Sequence, residues 1–398
     1  MKNKEMFIQS RYEDVRGITK EKKIPFAFCD MKAFNHNLEK VGKDLRKINK
    51  KMRVCTKSVR VPEFIKQVEE RDFVTGVFAF NSAEALFLAE KYHFEDILVG
   101  YPFMSSVDAE EACKAAGVEG VNITVIADSV EHLKVLQPIA EKMNVNLDIL
   151  IEIDVADTFL GKNVGVYRSP LNQPQEVINL AQEIEKKKNL KYRGIMGYEA
   201  QNASLGDHKL LYRYLKKRSR KHVNQLRQKI IDGLVSAGFK PEVVNGGGSG
   251  CYQETARENS TTEIGIGSLL FKSHLFDTID SLDEFSPAMF FALQIVRKPR
   301  SDIVTAFSGG YVSSGVNAPP VPIKPEGLKT FEEEGFGEVQ TPFKFDPKTV
   351  KLEHGDPVFC RFAKAGEPLT RFNIVHIYKE GEFIDEYKTY RGFGKRFS

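Results

Sequence analysis

Arg53-Val-Cys-Thr-Lys-Ser-Val-Arg60 joins a short apolar run to a polar turn that carries a lysine. Met52–Cys55 is typical of a short buried strand, and Lys57 stands where that strand should end. A lysine at the end of a buried strand can be desolvated and still face a ligand. Burial disfavours the ammonium form, so we predict that the amine of Lys57 is a nucleophile near neutral pH. A solvated lysine at a strand end is the alternative, and only the rest of the chain can separate the two.

Outward from this stretch, the chain repeats a short β-type run followed by an amphipathic stretch of about ten to fifteen residues. Asn81-Ser82 and Asp128-Ser129 are typical of helix N-termini within this repeat. Eight strands alternating with helices predict an α/β fold, and eight parallel strands close a (β/α)8 TIM-type barrel. An open doubly wound sheet is the alternative. The predicted strands are Arg53–Ser58, Val77–Phe80, Asp96–Gly100, Asn122–Ala127, Leu147–Asp154, Tyr192–Glu199, Glu242–Gly246 and Glu263–Ser268, and the helices between them include Ser82–Tyr92, Ser129–Lys142, Gln173–Lys187 and Leu211–Ala237.

The character of the sequence changes after about residue 275, where β-type runs and turns rich in Gly and Pro replace the helical pattern. We predict a barrel domain over residues 26–280 and a mainly β C-terminal domain over residues 281–398. Residues 1–25 are expected to add a strand to the C-terminal domain. The predicted β runs are Ala288–Arg297, Ile303–Phe307, Asp356–Phe362, Phe372–Tyr378 and Phe383–Thr389, with long loops at Tyr311–Gly327 and Phe331–Thr341.

Composition excludes several classes of protein. The 398 residues are 41% hydrophobic and 28% charged, which is ordinary for a soluble globular protein. A net charge of +4 gives no reason to expect nucleic acid, and the basic run 213–221 is interpreted as a wet helix face, with an acidic partner as the alternative. No stretch approaches about 18 apolar residues, so no membrane is expected, and the N-terminus lacks the apolar core of a signal peptide. The five scattered cysteines indicate a reduced, cytoplasmic protein.

Two glycine clusters stand where a barrel enzyme binds its ligand, at the C-terminal ends of the strands. Asn245-Gly-Gly-Gly-Ser-Gly250 follows the seventh predicted strand, and Gly265-Ile-Gly-Ser268 ends the eighth. Glycines let backbone N–H groups face an anion, and barrel phosphate sites are typically built by these two loops. Ser249 and Ser268 would add hydroxyl donors. A flexible turn is the alternative for the first cluster alone.

A lysine that can form an imine, opposite a phosphate cradle, suggests an aldehyde that carries a phosphate. Tyr198, at the end of the sixth predicted strand, would suit a flat aromatic ring as a partner. A core tyrosine with a satisfied hydroxyl is the alternative.

At these residues the chain resembles the fold-type III pyridoxal-phosphate enzymes, which have an alanine-racemase-like barrel. Within them it is most similar to the group of D-threonine aldolase, D-serine dehydratase and amino-acid deaminase. The resemblance runs over nearly the whole chain. The segments that carry it are Arg53-Val-Cys-Thr-Lys-Ser-Val-Arg60, Gly194-Ile-Met-Gly-Tyr-Glu199, Asn245-Gly-Gly-Gly-Ser-Gly250, Ser308-Gly-Gly-Tyr-Val-Ser-Ser-Gly315, Gly335-Phe-Gly-Glu-Val-Gln-Thr-Pro342, Lys364-Ala-Gly-Glu367 and Thr389-Tyr-Arg-Gly392.

The resemblance implies that Lys57 binds pyridoxal 5′-phosphate as a Schiff base and exchanges protons at the substrate Cα, with Tyr198 near the cofactor ring. It also implies a homodimer in which the β domain of one subunit closes over the barrel of the other. The residues implied to hold the phosphate are Gly247, Gly248, Ser249, Gly250, Gly267 and Ser268.

The chain departs from the family pattern at two places. Racemases of this fold commonly set an arginine against the pyridine nitrogen, and the matching stretch here offers Asn163, which can neither protonate the ring nor supply a cation. Metal-dependent members use a His-x-Cys or His-x-Asp pair where this chain has Phe362-Ala-Lys364, so a divalent metal is not favoured. His354 and Asp356 are the alternative ligand pair. Lys364 is hypothesised to replace the metal as a cation that polarises a substrate β-hydroxyl.

These features predict a pyridoxal-phosphate-dependent lyase or deaminase, of the aldolase or dehydratase type, that acts on a D-amino acid with a β-hydroxyl. The first alternative is an amino-acid racemase, for which Tyr311 is the candidate second acid/base; a packed loop tyrosine is the competing interpretation. The second is a non-catalytic pyridoxal-phosphate-binding homeostasis protein, which the large C-terminal domain disfavours. Candidate partners for a substrate carboxylate are Arg60, Arg361 and Arg371.

Overall fold

The computed structural model describes residues 5–315 and 318–397. Its strands are β1 (Phe26–Asp30), β2 (Lys51–Cys55), β3 (Val74–Ala79), β4 (Asp96–Val99), β5 (Asn122–Ala127), β6 (Leu147–Glu152), β7 (Asp157–Phe159), β8 (Lys162–Val164), β9 (Leu190–Gly197), β10 (Val243–Gly246), β11 (Glu263–Ile266), β12 (Met289–Arg300), β13 (Ile303–Phe307), β14 (Val321–Lys324), β15 (Lys329–Thr330), β16 (Gln340–Lys344), β17 (Pro357–Arg361), β18 (Ile374–Lys379) and β19 (Glu382–Lys388). Its α-helices are α1 (Tyr12–Val15), α2 (Met31–Arg46), α3 (Pro62–Glu69), α4 (Ser82–Tyr92), α5 (Ser106–Ala116), α6 (Val130–Met143), α7 (Pro174–Glu185), α8 (Ala200–Ser204), α9 (Leu210–Ser236) and α10 (Tyr252–Ala256).

The barrel predicted from the strand–helix repeat is confirmed. Parallel strands close in the order β10-β11-β2-β3-β4-β5-β6-β9, and the pairing of β9 with β10 completes the ring. The open doubly wound sheet is therefore wrong. Strands β4, β5, β6, β9 and β10 contribute one buried apolar side chain each to a common cluster that holds the wall together. These side chains are Leu98, Ile126, Leu150, Met196 and Val243.

Side-chain caps begin two of the barrel helices where the sequence predicted N-termini. The side chain of Asn81 accepts the Glu84 N–H at 2.9 Å, and α4 starts at the next residue. Ser129 accepts the His132 N–H at 3.4 Å in front of α6. Such caps satisfy N–H groups that have no partner within the helix, which fixes the register of the loop before each helix.

The basic run 213–221 lies on α9 and is not simply a wet helix face. Lys216 is buried and donates its Nζ to Asp207 at 2.8 Å. Arg218 binds Asp157, on β7, with its Nε 2.8 Å from the carboxylate. These pairs give the run a structural role within the barrel, so an acidic partner is not needed to explain it.

Strand β1 and strands β12–β19 form a second, mixed sheet, as the prediction of a mainly β region requires. The prediction that residues 1–25 add its extra strand is wrong, because the described residues before Phe26 form short helical turns. The extra strand is β1, which pairs antiparallel with β12 and parallel with β18. The lead-in segment contributes Phe7, whose ring lies 4.8 Å from Phe28 and 4.9 Å from Phe290 between ring centroids.

The chain divides into two compact units whose boundaries differ from the predicted domains 26–280 and 281–398. The β unit consists of the residues up to Lys40, Ser58–Phe64 and Ser268–Arg396. The barrel unit consists of Val41–Lys57 and Ile65–Gly267, with Phe397. The hydrogen bonds of β1 to β12 and β18 explain why residues 26–30 belong to the β unit.

The two long loops predicted in the C-terminal region are shorter than expected. Strand β14 lies inside the predicted loop Tyr311–Gly327, and β16 begins inside the predicted loop Phe331–Thr341. Both strands pair with neighbours in the β unit, β14 with β17 and β16 with β13. Within residues 5–315 and 318–397, none of the helices has the length and apolar character needed to span a membrane.

Candidate active site

One sector of the barrel carries most of the predicted site residues. Strands β9, β10, β11 and β2 are consecutive neighbours in the ring, and the residues that follow them stand at the same end of the barrel because the strands are parallel. Tyr198 follows β9, residues 247–250 follow β10, Gly267 follows β11, and Lys57 lies two residues beyond β2. Ser268, one residue further, is the first residue of the β unit.

Lys57 lies in a 3-10 turn, Thr56–Ser58, at the rim of the barrel. Thr56 is buried and donates its hydroxyl to the Phe78 carbonyl at 3.0 Å, which ties the turn to β3. The Lys57 amine donates to the hydroxyl of Tyr101 at 3.3 Å. Lys57 is an exposed residue, so the prediction that burial desolvates it is wrong. A turn at a barrel rim leaves a long side chain open to solvent, and orientation by Tyr101 is the contribution that the structure shows.

Sequence reasoning missed Tyr101, although a signal was present. Gly100-Tyr101 directly follows β4, so the rule that ligand-binding residues follow barrel strands applied here as it did to Tyr198.

The glycine loop 247–250 provides backbone donors, but not from every glycine. Gly247 has a positive φ of 74° and donates its N–H to Glu199 Oε2 at 2.9 Å, so this N–H already has a protein acceptor, and the phosphate-binding role of Gly247 stays a prediction. A Cβ on Gly248 would lie 2.9 Å from Cε2 of Tyr198, closer than real side-chain contacts allow. Gly248 and Gly250 are buried, and in the described part of the chain their N–H groups have no protein partner. Buried N–H groups of this kind suit an anionic ligand.

The two glycine clusters meet, as the strand order predicted. Ser249 Oγ accepts the Gly267 N–H at 3.4 Å, a long contact that links the loop after β10 to the end of β11. Both segments belong to the barrel unit. The two loops predicted to bind the phosphate are therefore in contact.

Tyr198 lies beside a cation that sequence reasoning missed. The guanidinium carbon of Arg168 is 4.8 Å from the centroid of the Tyr198 ring. Burial raises the pKa of Tyr198 to about 12, so its hydroxyl stays protonated at neutral pH. The signal was an arginine five residues beyond Asn163, in the stretch where the family pattern led us to look for one.

Asn163 lies on β8, whose partner strand β7 sets it opposite Thr158 in an antiparallel hairpin after β6. It is an exposed residue. Its role toward the cofactor ring stays a prediction.

Glu152, the last residue of β6, is a second group that the sequence did not single out. It is buried, and its Oε1 lies 3.7 Å from Nη1 of Arg168. Burial raises the pKa of Glu152 to about 7, and Asp128 adds to the rise while Arg168 opposes it. The carboxyl group can therefore gain or lose a proton near neutral pH, unlike an ordinary glutamate.

Lys364 joins two segments of the β unit. Its Nζ donates to the Ser314 carbonyl at 2.5 Å, and its N–H donates to Ser313 Oγ at 3.2 Å. The Ser314 N–H in turn donates to Glu367 at 2.7 Å. The two family segments at 308–315 and 364–367 thus meet within one unit, while the catalytic role of Lys364 stays a prediction.

Tyr311 has the environment of a packed loop tyrosine. Its ring centroid lies 5.0 Å from that of Phe291 and 4.8 Å from that of Phe372, and its hydroxyl is 3.0 Å from Ser308 Oγ. Burial raises the pKa of Tyr311. Its use as a second acid/base stays a prediction.

Two further candidate site residues, Asp356 and Arg361, are bound to other protein side chains. Both carboxylate oxygens of Asp356 accept Nη2 of Arg16 at 2.7 Å, so the aspartate of the alternative ligand pair with His354 is engaged in an ion pair. Arg361 donates to the two oxygens of Asp277 at 2.7 and 2.9 Å and is therefore not open to a substrate carboxylate. Among the residues that the structure describes, no group of three or more His, Cys, Asp or Glu side chains is placed to hold a metal ion.

Comparisons with known proteins agree with this arrangement. A sequence model described as alanine racemase, N-terminal domain, matches residues 29–274. The 3-hydroxy-D-aspartate aldolase of Paracoccus denitrificans is 23% identical over 291 residues, which cover 71% of each chain. The D-threonine aldolase of Filomicrobium marinum has a similar fold, with a TM-score of 0.81 at 16% identity over 92% of this chain and 94% of that one. The D-threo-3-hydroxyaspartate dehydratase of Delftia sp. HT23 follows, with a TM-score of 0.76 at 13% identity over 93% and 98%.

Proposed function

The chain belongs to the alanine racemase N-terminal domain family, and from that premise we propose that it is a pyridoxal 5′-phosphate-dependent lyase or deaminase acting on a D-amino acid. One observation carries the proposal. Lys57 stands at the end of β2, in the same sector of the barrel as a glycine loop whose Gly248 and Gly250 N–H groups have no partner in the described chain. A lysine amine and an anion cradle are what a phosphorylated aldehyde needs for binding.

The residues present fit this cofactor. Lys57 would bind its aldehyde carbon, the N–H groups of Gly248 and Gly250 would bind its phosphate, and Tyr198 would lie near its ring. The Gly248 position accepts no side chain, as expected for a loop that packs closely against Tyr198. When bound, the cofactor stabilises the negative charge that develops at the substrate Cα.

The side chains at the barrel rim supply orientation and proton transfer. Tyr101 holds the Lys57 amine at 3.3 Å, which restricts the rotamers of a long, flexible side chain. The Lys57 amine, once released, removes or returns the proton at the substrate Cα. Arg168 places a cation next to the Tyr198 ring, where an anionic group of the substrate or cofactor can bind.

The printed names of the relatives support a D-amino acid that carries a β-hydroxyl. The aldolase of Paracoccus denitrificans is named for 3-hydroxy-D-aspartate, and the Filomicrobium marinum enzyme for D-threonine. Aldol cleavage needs a base for the β-hydroxyl, and dehydration needs an acid that protonates it. We propose that Lys364 is the cation that polarises this β-hydroxyl, because it lies in the family segment 364–367.

A racemase is the second candidate because Tyr311 lies in the family segment 308–315 and carries a hydroxyl that could act as the second acid/base. Racemisation would need this hydroxyl to exchange a proton with the substrate Cα. A non-catalytic carrier of the cofactor is the third candidate.

The test is an absorbance spectrum of the purified protein with pyridoxal 5′-phosphate, before and after adding a panel of D- and L-amino acids. We expect a cofactor band that shifts with D-β-hydroxy amino acids and is lost in Lys57→Ala. Lys51→Ala, at the opposite end of β2, is the matched control and should keep the band.

The products separate the candidates. Formation of an aldehyde or a keto acid would identify a lyase. Inversion of the substrate configuration without either product would identify a racemase. A cofactor band that no amino acid changes would identify a non-catalytic carrier. Absence of a band in the unaltered protein would refute all three.

We also propose a homodimer in the cytoplasm that acts on a small molecule. The five cysteines are free thiols, which suits a reducing compartment. Light scattering should give twice the mass of one chain.

A further inference from the structure

A buried carboxylate lies directly behind the glycine loop. Glu199 Oε2 accepts the Gly247 N–H at 2.9 Å and Nη2 of Arg227 at 3.2 Å. Glu199 Oε1 accepts the hydroxyl of Thr255, on α10, at 2.5 Å. Glu199 and Arg227 are 1% and 0% exposed. One side chain from the end of β9 thus binds both the loop after β10 and the helix that follows it.

Arg227 joins the same group from the middle of α9. Its Nη2 donates to the Gly197 carbonyl at 3.1 Å, and its Nη1 pairs with Glu258. In the part of the chain that the structure describes, the buried Nε of Arg227 has no hydrogen-bond partner. Two buried charges and an unpaired N–H are costly, and a buried ion pair is weak evidence for a stabilising role.

The geometry indicates what this cluster does for the loop. Residues 246–248 are consecutive glycines, which have more backbone conformations to lose than any other sequence. The bond from Gly247 to Glu199 fixes one peptide of this run at a left-handed φ of 74°. The chain then brings Gly248 against Tyr198, and in the described part of the chain the N–H groups of Gly248 and Gly250 have no protein partner.

We propose that Glu199 is a positioning residue that sets the glycine loop in its phosphate-binding conformation, with Arg227 compensating the charge that would otherwise oppose an anion. This inference rests on the proposed function. It assigns the N–H of Gly247 to the protein and the N–H groups of Gly248 and Gly250 to the phosphate.

The test compares pyridoxal 5′-phosphate with pyridoxal, which lacks the phosphate, as ligands of the Lys57 amine in the full-length protein. Glu199→Gln removes the negative charge that strengthens the bonds from Gly247 and Arg227 and turns one acceptor oxygen into an NH₂ group, so the bond that holds the Gly247 N–H is weakened. We expect the affinity for pyridoxal 5′-phosphate to fall about tenfold or more while the affinity for pyridoxal changes little. Tyr252→Phe is the control, because it removes a buried hydrogen bond of α10 to Asp44 without touching Glu199.

A purely structural role would lower both affinities together or neither, and either result in Glu199→Gln would overturn the inference. A drop in the affinity ratio in Tyr252→Phe equal to that in Glu199→Gln would also overturn it. If the unaltered protein binds no pyridoxal 5′-phosphate, the proposed function itself fails.

A measurement on the unaltered protein covers the case in which Glu199→Gln does not fold. Residue-resolved hydrogen exchange should show the Gly247 amide protected before ligand is added. Gly248 and Gly250 should gain protection only with pyridoxal 5′-phosphate. Equal gain at all three amides, or no gain at Gly248 and Gly250, would refute the assignment.

Discussion

Replacing Glu263 by glutamine should destabilise the barrel, because this side chain is the centre of its polar interior. Glu263, on β11, accepts four hydrogen bonds: from Nε and Nη2 of Arg53 at 2.7 and 3.1 Å, from Asn245 at 2.8 Å and from Thr75 at 2.8 Å. Burial raises the pKa of Glu263, but the charge of Arg53 outweighs burial and the pKa is lowered overall. The ionised carboxylate is therefore the form that the fold selects.

The magnitude follows from the donors. Each oxygen of Glu263 accepts one N–H of Arg53 and one neutral donor. In glutamine one of these oxygens is replaced by an NH₂ group, which cannot accept a hydrogen bond. One N–H of Arg53 and one neutral donor would then lose their acceptor. A lost bond to a charged group costs about 1.5–3 kcal/mol and a neutral one about 1 kcal/mol. We expect a loss of about 3 kcal/mol, at the lower end of what breaking a buried ion pair costs.

Urea unfolding followed by circular dichroism measures this loss as a shift of the midpoint. Glu242→Gln is the control, since its carboxylate pairs with Arg193 at 3.3 Å but is 64% exposed. That change should cost less than about 0.5 kcal/mol. A loss below about 1 kcal/mol in Glu263→Gln would show that the interior network does not hold the barrel as argued.

Three further changes test the site. Lys364→Met removes the bond to the Ser314 carbonyl, and activity on a β-hydroxy D-amino acid should fall; full activity in a product assay would end the role proposed for Lys364. Gly248→Ala brings a Cβ to 2.9 Å from Tyr198, so cofactor affinity measured by absorbance titration should drop, and unchanged affinity would contradict the tight packing. Burial raises the pKa of Glu152 from 4.5 to about 7, so ionisation of the buried carboxyl lowers the free energy of unfolding as the pH rises through that range. In urea unfolding between about pH 5 and 8, Glu152→Gln should therefore become more stable relative to the unaltered protein. A difference that does not change with pH would refute the shifted pKa.

Local patterns predicted the barrel closely because each strand and helix carries its own signal. Ser82–Tyr92 and Asn122–Ala127 have the bounds that the sequence predicts. The assignment of β1 failed for a reason of topology, since its apolar run is equally suited to either sheet. Only the pairing with β12 and β18, which lie more than 250 residues away in the chain, assigns β1 to the β unit.

The candidate site was predictable where the strand-end rule applies and not where distant side chains decide. Lys57 and Tyr198 were predicted because they follow strands, and the structure places them after β2 and β9, at the same end of the barrel. The bond between Gly247 and Glu199 joins residues 48 positions apart that follow two neighbouring strands, and no spacing in the sequence predicts it. The pairing of Arg361 with Asp277 likewise brings together residues 84 positions apart.

The family segments contain residues with two different tasks, which limits what the segments alone reveal about the reaction. In Arg53–Arg60 the first residue binds Glu263 inside the barrel, while Lys57 stands at the rim. In Asn245–Gly250 the asparagine also binds Glu263, while the N–H groups of Gly248 and Gly250 have no protein partner in the described part of the chain. The buried bonds to Glu263 hold the barrel whichever reaction the chain catalyses.

Residues outside the barrel segments should therefore decide the reaction. Tyr101 and Arg168 contact Lys57 and Tyr198 from loops, outside the barrel strands. Because they contact Lys57 and Tyr198 directly, substitutions at these two positions should change the ratio of lyase to racemase products more than they change cofactor affinity. Equal effects on both quantities would mean that reaction choice is built into the shared segments instead.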